Sequence, residues 1–206
     1  MAVIPMFPLG SVLFPHMPLP LRLFEPRYLK MLGDLLEQPD PEFGVVLIER
    51  GHEVGGGDQR FSVGTVAQVV EVEAMEDSMV LMARGTSRFR VVQWLPEDPY
   101  PRAEVELLPE LRWDPGLQPV RDVAETALRK ALAMNSEFAQ SWPADVQLSD
   151  DPLASCWQLA AITPVTALDQ IAMLQAAQIV ELLAMVHDFS KELSQTLAMG
   201  WPDATQ

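Results

Sequence analysis

The first 21 residues carry no Lys, Arg, Asp or Glu, yet prolines stand at positions 5, 8, 15, 18 and 20. An uncharged stretch of this length would otherwise read as a membrane span or a secretory leader. Each proline removes a backbone donor and clashes with the preceding turn of a helix. No basic segment precedes the apolar residues, as a leader requires. The stretch is therefore predicted to be extended chain with turns. A first strand is expected over 3–9, at an edge or irregularly paired because of Pro5 and Pro8, and a second over 19–24. No other run is long and apolar enough to cross a bilayer. The lone cysteine, Cys156, suits a reducing compartment, so the expected setting is the cytoplasm, without a membrane.

Glu25-Pro26-Arg27-Tyr28 opens a predicted helix. Proline at the first turn lacks only an N–H that would be unbonded there anyway, and Glu25 is favoured by the helix dipole. Tyr28, Met31, Leu32 and Leu35 then recur at spacings of three and four, until Gln38-Pro39 ends the run. Short apolar runs bounded by turn residues follow. Strands are expected over 43–48, 63–74, 79–83, 88–91 and 103–108, with a loop at Gly55 to Asp58 and a turn at Gly85-Thr86-Ser87. Many short strands with one early helix predict a twisted, partly closed β-barrel over residues 1–112.

Beyond Pro109 the period changes from 2 to 3.6. Val120, Val123, Ala124, Ala127, Leu128, Ala131 and Leu132 form a helical stripe. Asp151 is a suitable N-cap and Pro152 a suitable first helical residue, with Leu153, Cys156, Trp157 and Ala160 facing one way. From Thr166 to Leu197 helical character persists as one helix or as two with a bend near Gln175. Residues 113–206 are predicted to form a small α-helical bundle, and the whole chain is α+β.

The net charge is −15, with 10 basic against 17 acidic residues in 1–112 and 4 against 12 in 113–206. Such a chain repels nucleic acid and anionic lipid, so no nucleic-acid partner is expected. His16, His52 and His187 show no metal-ligand spacing with Cys156, and Lys30, Lys130 and Lys191 have no serine partner motif. No phosphate loop occurs, because Gly55-Gly56-Gly57 runs into Asp58 without a lysine. No catalytic residue, cofactor or metal is expected. Glu25, Arg27, Arg88 and Arg90 are the polar residues to watch. A structural pair of Glu25 with Arg27 or Arg88 is the expectation, since arginine meets a carboxylate with paired hydrogen bonds.

In order and approximate spacing, several segments resemble the Lon N-terminal (substrate-binding) domain family. They are Ile4-Pro5-Met6-Phe7-Pro8-Leu9-Gly10, Leu13-Phe14-Pro15, Pro18-Leu19-Pro20-Leu21, Phe24-Glu25-Pro26-Arg27-Tyr28, Phe43 to Ile48, Val63 to Ala67, Gly85 to Val91 and Pro99 to Val105. The resemblance implies a PUA-like barrel followed by helices, a region that in Lon engages protein substrates and helps assembly. It also implies a free-standing domain, since neither an ATPase nor a Ser–Lys peptidase follows within the 206 residues. The expected function is a non-enzymatic, ATP-independent module that binds hydrophobic or unfolded segments of other proteins, as an adaptor or holdase. The alternative is RNA binding, because PUA-like barrels include RNA readers. The candidate peptide site is the apolar, proline-bounded segment with Phe14, Met17, Leu19 and Leu21, expected at a sheet edge because Pro18 and Pro20 cannot donate to a ladder.

Overall fold

The computed structural model describes residues 1–50, 59–136 and 142–199. The predicted Gly55–Asp58 loop and His52 lie outside them. The chain divides into two compact units, Met1–Glu110 and Leu111–Gln206.

The first unit contains β1 (Ala2–Leu9), β2 (Pro18–Leu23), α1 (Pro26–Leu36), β3 (Glu42–Arg50), β4 (Gln59–Ala74), β5 (Met79–Trp94) and β6 (Arg102–Leu107). The strand order is β2-β5-β4-β3-β1-β6, and β5 also pairs with β6. The sheet therefore curls round on itself. The long β5 makes this possible: residues 79–84 pair with β2 and residues 89–94 with β6. Register shifts in its ladder with β4, between Thr65 and Ala67 and between Val69 and Glu71 of β4, and in its ladder with β6, between Val91 and Gln93, bend the sheet on the way. Such bulges sharpen the local twist.

β1 lies inside the sheet rather than at an edge. Residues 2–5 pair antiparallel with β6, and residues 6–9 pair parallel with β3. The strand changes partner beside Pro5, where a missing donor does least harm, and Met6 N–H donates to Pro101 O at 2.8 Å. This is the irregular pairing that the prolines demand.

Successive side chains on a strand point to opposite faces, and here both faces are covered. Met6, Val46, Val66, Phe89, Ala103 and Val105 form one cluster. Phe7, Leu9, Phe43, Val45, Ala67 and Leu81 belong to another, completed by Tyr28, Met31, Leu32 and Leu35 of α1. Double-sided burial explains why Phe43 to Ile48 reads as a continuous apolar run instead of an alternation. The four residues predicted to face inward from α1 are the four that are buried.

The expected turn at Gly85-Thr86-Ser87 is absent: β5 continues through it, with a bulge there, between the pairs Gly85–Ala67 and Arg88–Thr65. Gly85 serves close approach instead: a Cβ there would sit 2.2 Å from the carbonyl oxygen of Phe14. Gly64 is similarly confined, with a Cβ position 2.1 Å from Val45 O.

The second unit contains a 3-10 turn (Pro115–Leu117), α2 (Gln118–Asn135), α3 (Pro152–Ile162), α4 (Ala167–Leu174) and α5 (Ile179–Ala198). In α2, Ala124, Leu128, Ala131 and Leu132 are buried, but Val120 and Val123 at its start are exposed. Asp151 caps α3 by accepting from Ala154 N–H at 2.8 Å. α3 buries seven of its 11 residues, Cys156, Trp157 and Ala160 of the predicted face among them, and burial extends beyond that single face. The stretch from Thr166 is two helices. Thr166 and Asp169 form a reciprocal capping box at the first, which ends at Leu174, and the second begins at Ile179. No described helix is long and apolar enough to cross a membrane.

Candidate functional site

β2 follows a loop packed on the sheet and, among the described residues, pairs with β5 alone. Alternation along it is regular: Leu19, Leu21 and Leu23 point toward the core, while Pro18, Pro20 and Arg22 are exposed. Met17, Leu19 and Leu21 are half-buried against the cluster beneath α1, and Phe14 is 1% exposed. Thr65 secures the loop, its hydroxyl donating to Leu13 O at 2.6 Å.

Where β2 leads into α1, a partly open cavity of about 180 Å³ is lined by Phe7, Leu9, Pro20, Leu21, Leu23, Phe24 and Tyr28, with Arg22 and Glu25 as its charged residues. Of the residues singled out for peptide contact, Leu21 reaches this cavity. Phe24 also lines it and is 55% exposed. Its place is set by strand alternation, because the buried Leu23 turns Phe24 outward. The volume lies below the roughly 300–1,000 Å³ of small-molecule and cofactor sites and suits one large apolar side chain.

The cavity is flanked by a chain of charges. Glu25 occupies the N-cap position of α1, but its side chain makes no capping bond. It pairs instead with Arg27 Nε at 3.2 Å, both side chains under 20% exposed. Arg27 Nη1 also meets Glu97 at 2.6 Å, and Glu97 lies 3.6 Å from Arg60 Nη2. Each arginine rests on a ring: Arg27 lies 4.6 Å from the centre of Tyr28 and Arg60 lies 4.5 Å from that of Trp94. Burial pushes the Tyr28 hydroxyl up to about 12. The network ties the start of α1 to β4 and to the loop after β5. Sequence reading picked out Glu25 and Arg27 but not Glu97 or Arg60. Glu97 sits in Pro96-Glu97-Asp98-Pro99, whose two prolines announce only a break.

Arg88 lies on β5 opposite Thr65, its Nη2 donating to Pro109 O at 2.8 Å. Burial lowers its pKa from the ordinary arginine value. Arg90 is exposed, opposite Glu106 of β6. In the second unit Cys156 is buried and its thiol is pushed up to about 11 by burial, which suppresses the nucleophilic thiolate. Among the described residues no group of three or more His, Cys, Asp or Glu could hold a metal.

This architecture, a curled mixed sheet with one early helix and a helical second unit, defines an α+β module of the kind found at the N-terminus of Lon proteases. A model of the ATP-dependent protease La (Lon) substrate-binding domain matches residues 3–192, and the chain belongs to that family. It is 33% identical over 137 residues to the Lon protease of Anaeromyxobacter dehalogenans (strain 2CP-C), covering 65% of this chain and 15% of that protein. It is 36% identical over 107 residues to Lon protease 2 of Myxococcus xanthus, covering 50% and 13%. The chain thus matches only about 13–15% of the length of these relatives. Its fold is shared with a Lon N-terminal domain protein from Xanthomonas campestris, at a TM-score of 0.59 and 23% identity over 98% of this chain and 100% of that one. The N-terminal domain of the Mycobacterium avium complex Lon protease is similar at 0.64 and 14% identity, over 93% and 99%.

Proposed function

We propose that this chain is a non-enzymatic binding module for hydrophobic or unfolded segments of other proteins, acting as an adaptor or holdase in the cytoplasm without ATP. The observation that carries the reading is the apolar cavity beside β2, with Phe24 exposed at its mouth. Membership of the substrate-binding family points the same way. A guest side chain enters between Leu21, Phe24 and Tyr28, and neighbouring guest residues lie along Met17 to Leu21. Leu19 and Met17 offer their partly exposed flanks, while Phe14 supports the strand from beneath. Full burial of one large apolar side chain contributes about 1.5–3 kcal/mol, so one anchor alone binds weakly. With flanking contacts the expected dissociation constant is micromolar, about −8 kcal/mol. Salt should matter little, because apolar contact dominates. Nucleic acid is not a ligand of this module.

Calorimetric titration of unfolded model proteins and Leu- or Phe-rich peptides tests the proposal. Phe24→Asp is the decisive variant, because an exposed side chain can be changed without emptying the core. It should weaken binding at least about tenfold, as expected for a side chain at the centre of a contact. Leu21→Asp should do so more strongly, with its fold checked by circular dichroism. A folded Phe24→Asp protein that binds as wild type does would remove the cavity from the site. Absence of binding by wild type to every unfolded protein tried would remove the activity. Salt-dependent binding of RNA at micromolar concentration would favour the nucleic-acid reading instead.

A further inference from the structure

Among the described residues, β2 is the one strand paired along a single side. A strand in that position normally offers a row of unbonded N–H and C=O groups to any extended chain. The register of β2 shows what it offers. Just before it, His16, at φ 64, and Met17 stand together opposite Gly85. His16 N–H donates to Gly85 O at 2.8 Å, and Gly85 N–H donates to Met17 O at 2.9 Å. This is a bulge with its first residue in the left-handed region.

From there the ladder runs regularly, Leu19 opposite Ala83, Leu21 opposite Leu81 and Leu23 opposite Met79. Bonded and non-bonded positions alternate along an antiparallel pair. With Met17 bonded to Gly85, the bonded positions are Leu19, Leu21 and Leu23. Pro18, Pro20 and Arg22 direct their backbone groups to the open side. Two of these three outward positions have no N–H to give. An incoming strand would meet the carbonyls of Pro18 and Pro20 but find no donors for its own carbonyls opposite them. Unmet backbone acceptors are what a growing sheet avoids.

We infer that Pro18 and Pro20 close the free edge of the sheet to strand addition, whether by a second copy of this chain or by an extended guest, and so make side-chain entry at the neighbouring cavity the mode of guest binding. The statement about guests rests on the function proposed above; the closure of the edge does not. The two prolines are therefore specificity residues. They select against ligands that bind through backbone hydrogen bonds and leave the apolar cavity as the point of attachment.

The experiment needs no ligand for its first two arms. In Pro18→Thr and Pro20→Thr, each new amide should exchange with solvent deuterium within minutes by nuclear magnetic resonance. The amides of Leu19 and Leu21 should remain protected. Protection of the new amides in the monomer would show that these positions face into the sheet and would overturn the inference. The double variant Pro18→Thr/Pro20→Thr should self-associate by sedimentation velocity at concentrations where the wild-type coefficient does not change. Identical behaviour of the folded double variant and wild type would count against the closing role. Should the double variant fail to fold, the same comparison on each single variant decides. The third arm titrates wild type with an apolar peptide and with its counterpart N-methylated at alternate backbone amides. Affinities within about threefold are expected if the side chain is the anchor, and a loss of tenfold or more on methylation would overturn that part. A wild type that binds neither peptide refutes the proposed function, while the exchange and sedimentation results still judge the edge.

Discussion

Replacing Glu97 with alanine tests whether the charge network beside the cavity holds the first unit together. Its carboxylate meets Arg27 Nη1 at 2.6 Å and lies 3.6 Å from Arg60 Nη2. A hydrogen bond to a charged group contributes about 1.5–3 kcal/mol net. Glu97 is 36% exposed, and solvent screening reduces that figure toward the exposed-pair range, so Glu97→Ala should cost about 1–2 kcal/mol. Glu25→Ala should cost less, about 0.5–1 kcal/mol, because Arg27 keeps Glu97. The double variant should cost more than the sum of the two, by roughly 1 kcal/mol, since only then does the half-buried Arg27 lose both carboxylates. Removing any acid from a chain of net charge −15 also relieves general repulsion. The exposed Glu76 supplies the reference, and each change is measured against Glu76→Ala. The assay is urea unfolding followed by circular dichroism and by the fluorescence of the chain's five tryptophans. If Glu97→Ala lies within about 0.5 kcal/mol of the reference, or the two losses simply add, the network does not act as argued.

Gly85→Ala should destabilise the sheet by about 3 kcal/mol or more, because the new methyl would stand 2.2 Å from a backbone oxygen; urea titration matching wild type would refute this. Burial keeps Tyr28 protonated up to about 12, above its ordinary value near 10. Because the native state holds this proton more tightly than the unfolded state, the contribution is fully present below about pH 10. It is lost between about 10 and 12, up to about 3 kcal/mol. The decline should be smaller in Tyr28→Phe, which keeps only what Tyr100 and Lys30, also raised, contribute, and a decline of equal size in that variant would assign it elsewhere. Cys156 should resist a disulfide reagent at pH 8 in the native protein and react at once in urea; rapid native labelling would contradict its burial.

Much of the site's frame can be read from residue order, because one-sided burial leaves a periodic trace. The Tyr28, Met31, Leu32 and Leu35 face is of this kind, and so is β2, where exposed prolines alternate with inward leucines. Asp151-Pro152 is legible because a cap is a local interaction. What fails is whatever depends on a distant partner. The prolines of β1 leave open an edge or an irregular pairing, and only its change of partner along its length, between β6 and β3, decides for the second. Gly85 looks like a turn because the sequence does not reveal that the Phe14 carbonyl presses on it. α3 buries most of the predicted face, Cys156, Trp157 and Ala160, but also Ala154, Ser155, Leu159 and Ile162, which one-sided periodicity does not announce. Glu97 hid between two prolines, its importance set by Arg27 some 70 positions away.

The two-partner arrangement of β1 also imposes an order on synthesis. Residues 6–9 can find β3 once residues 44–47 exist, but Ala2 to Pro5 must wait for Val105 to Arg102. At about 5–20 residues per second on the ribosome, a separation of roughly 100 residues means a wait of about 5–20 seconds. During that interval Val3 and Ile4 lack the β6 ladder that they join in the finished sheet. The ladder between β1 and β6 therefore forms last in the order of synthesis, and a strand whose second half is already placed by β3 waits for the partner of its first half.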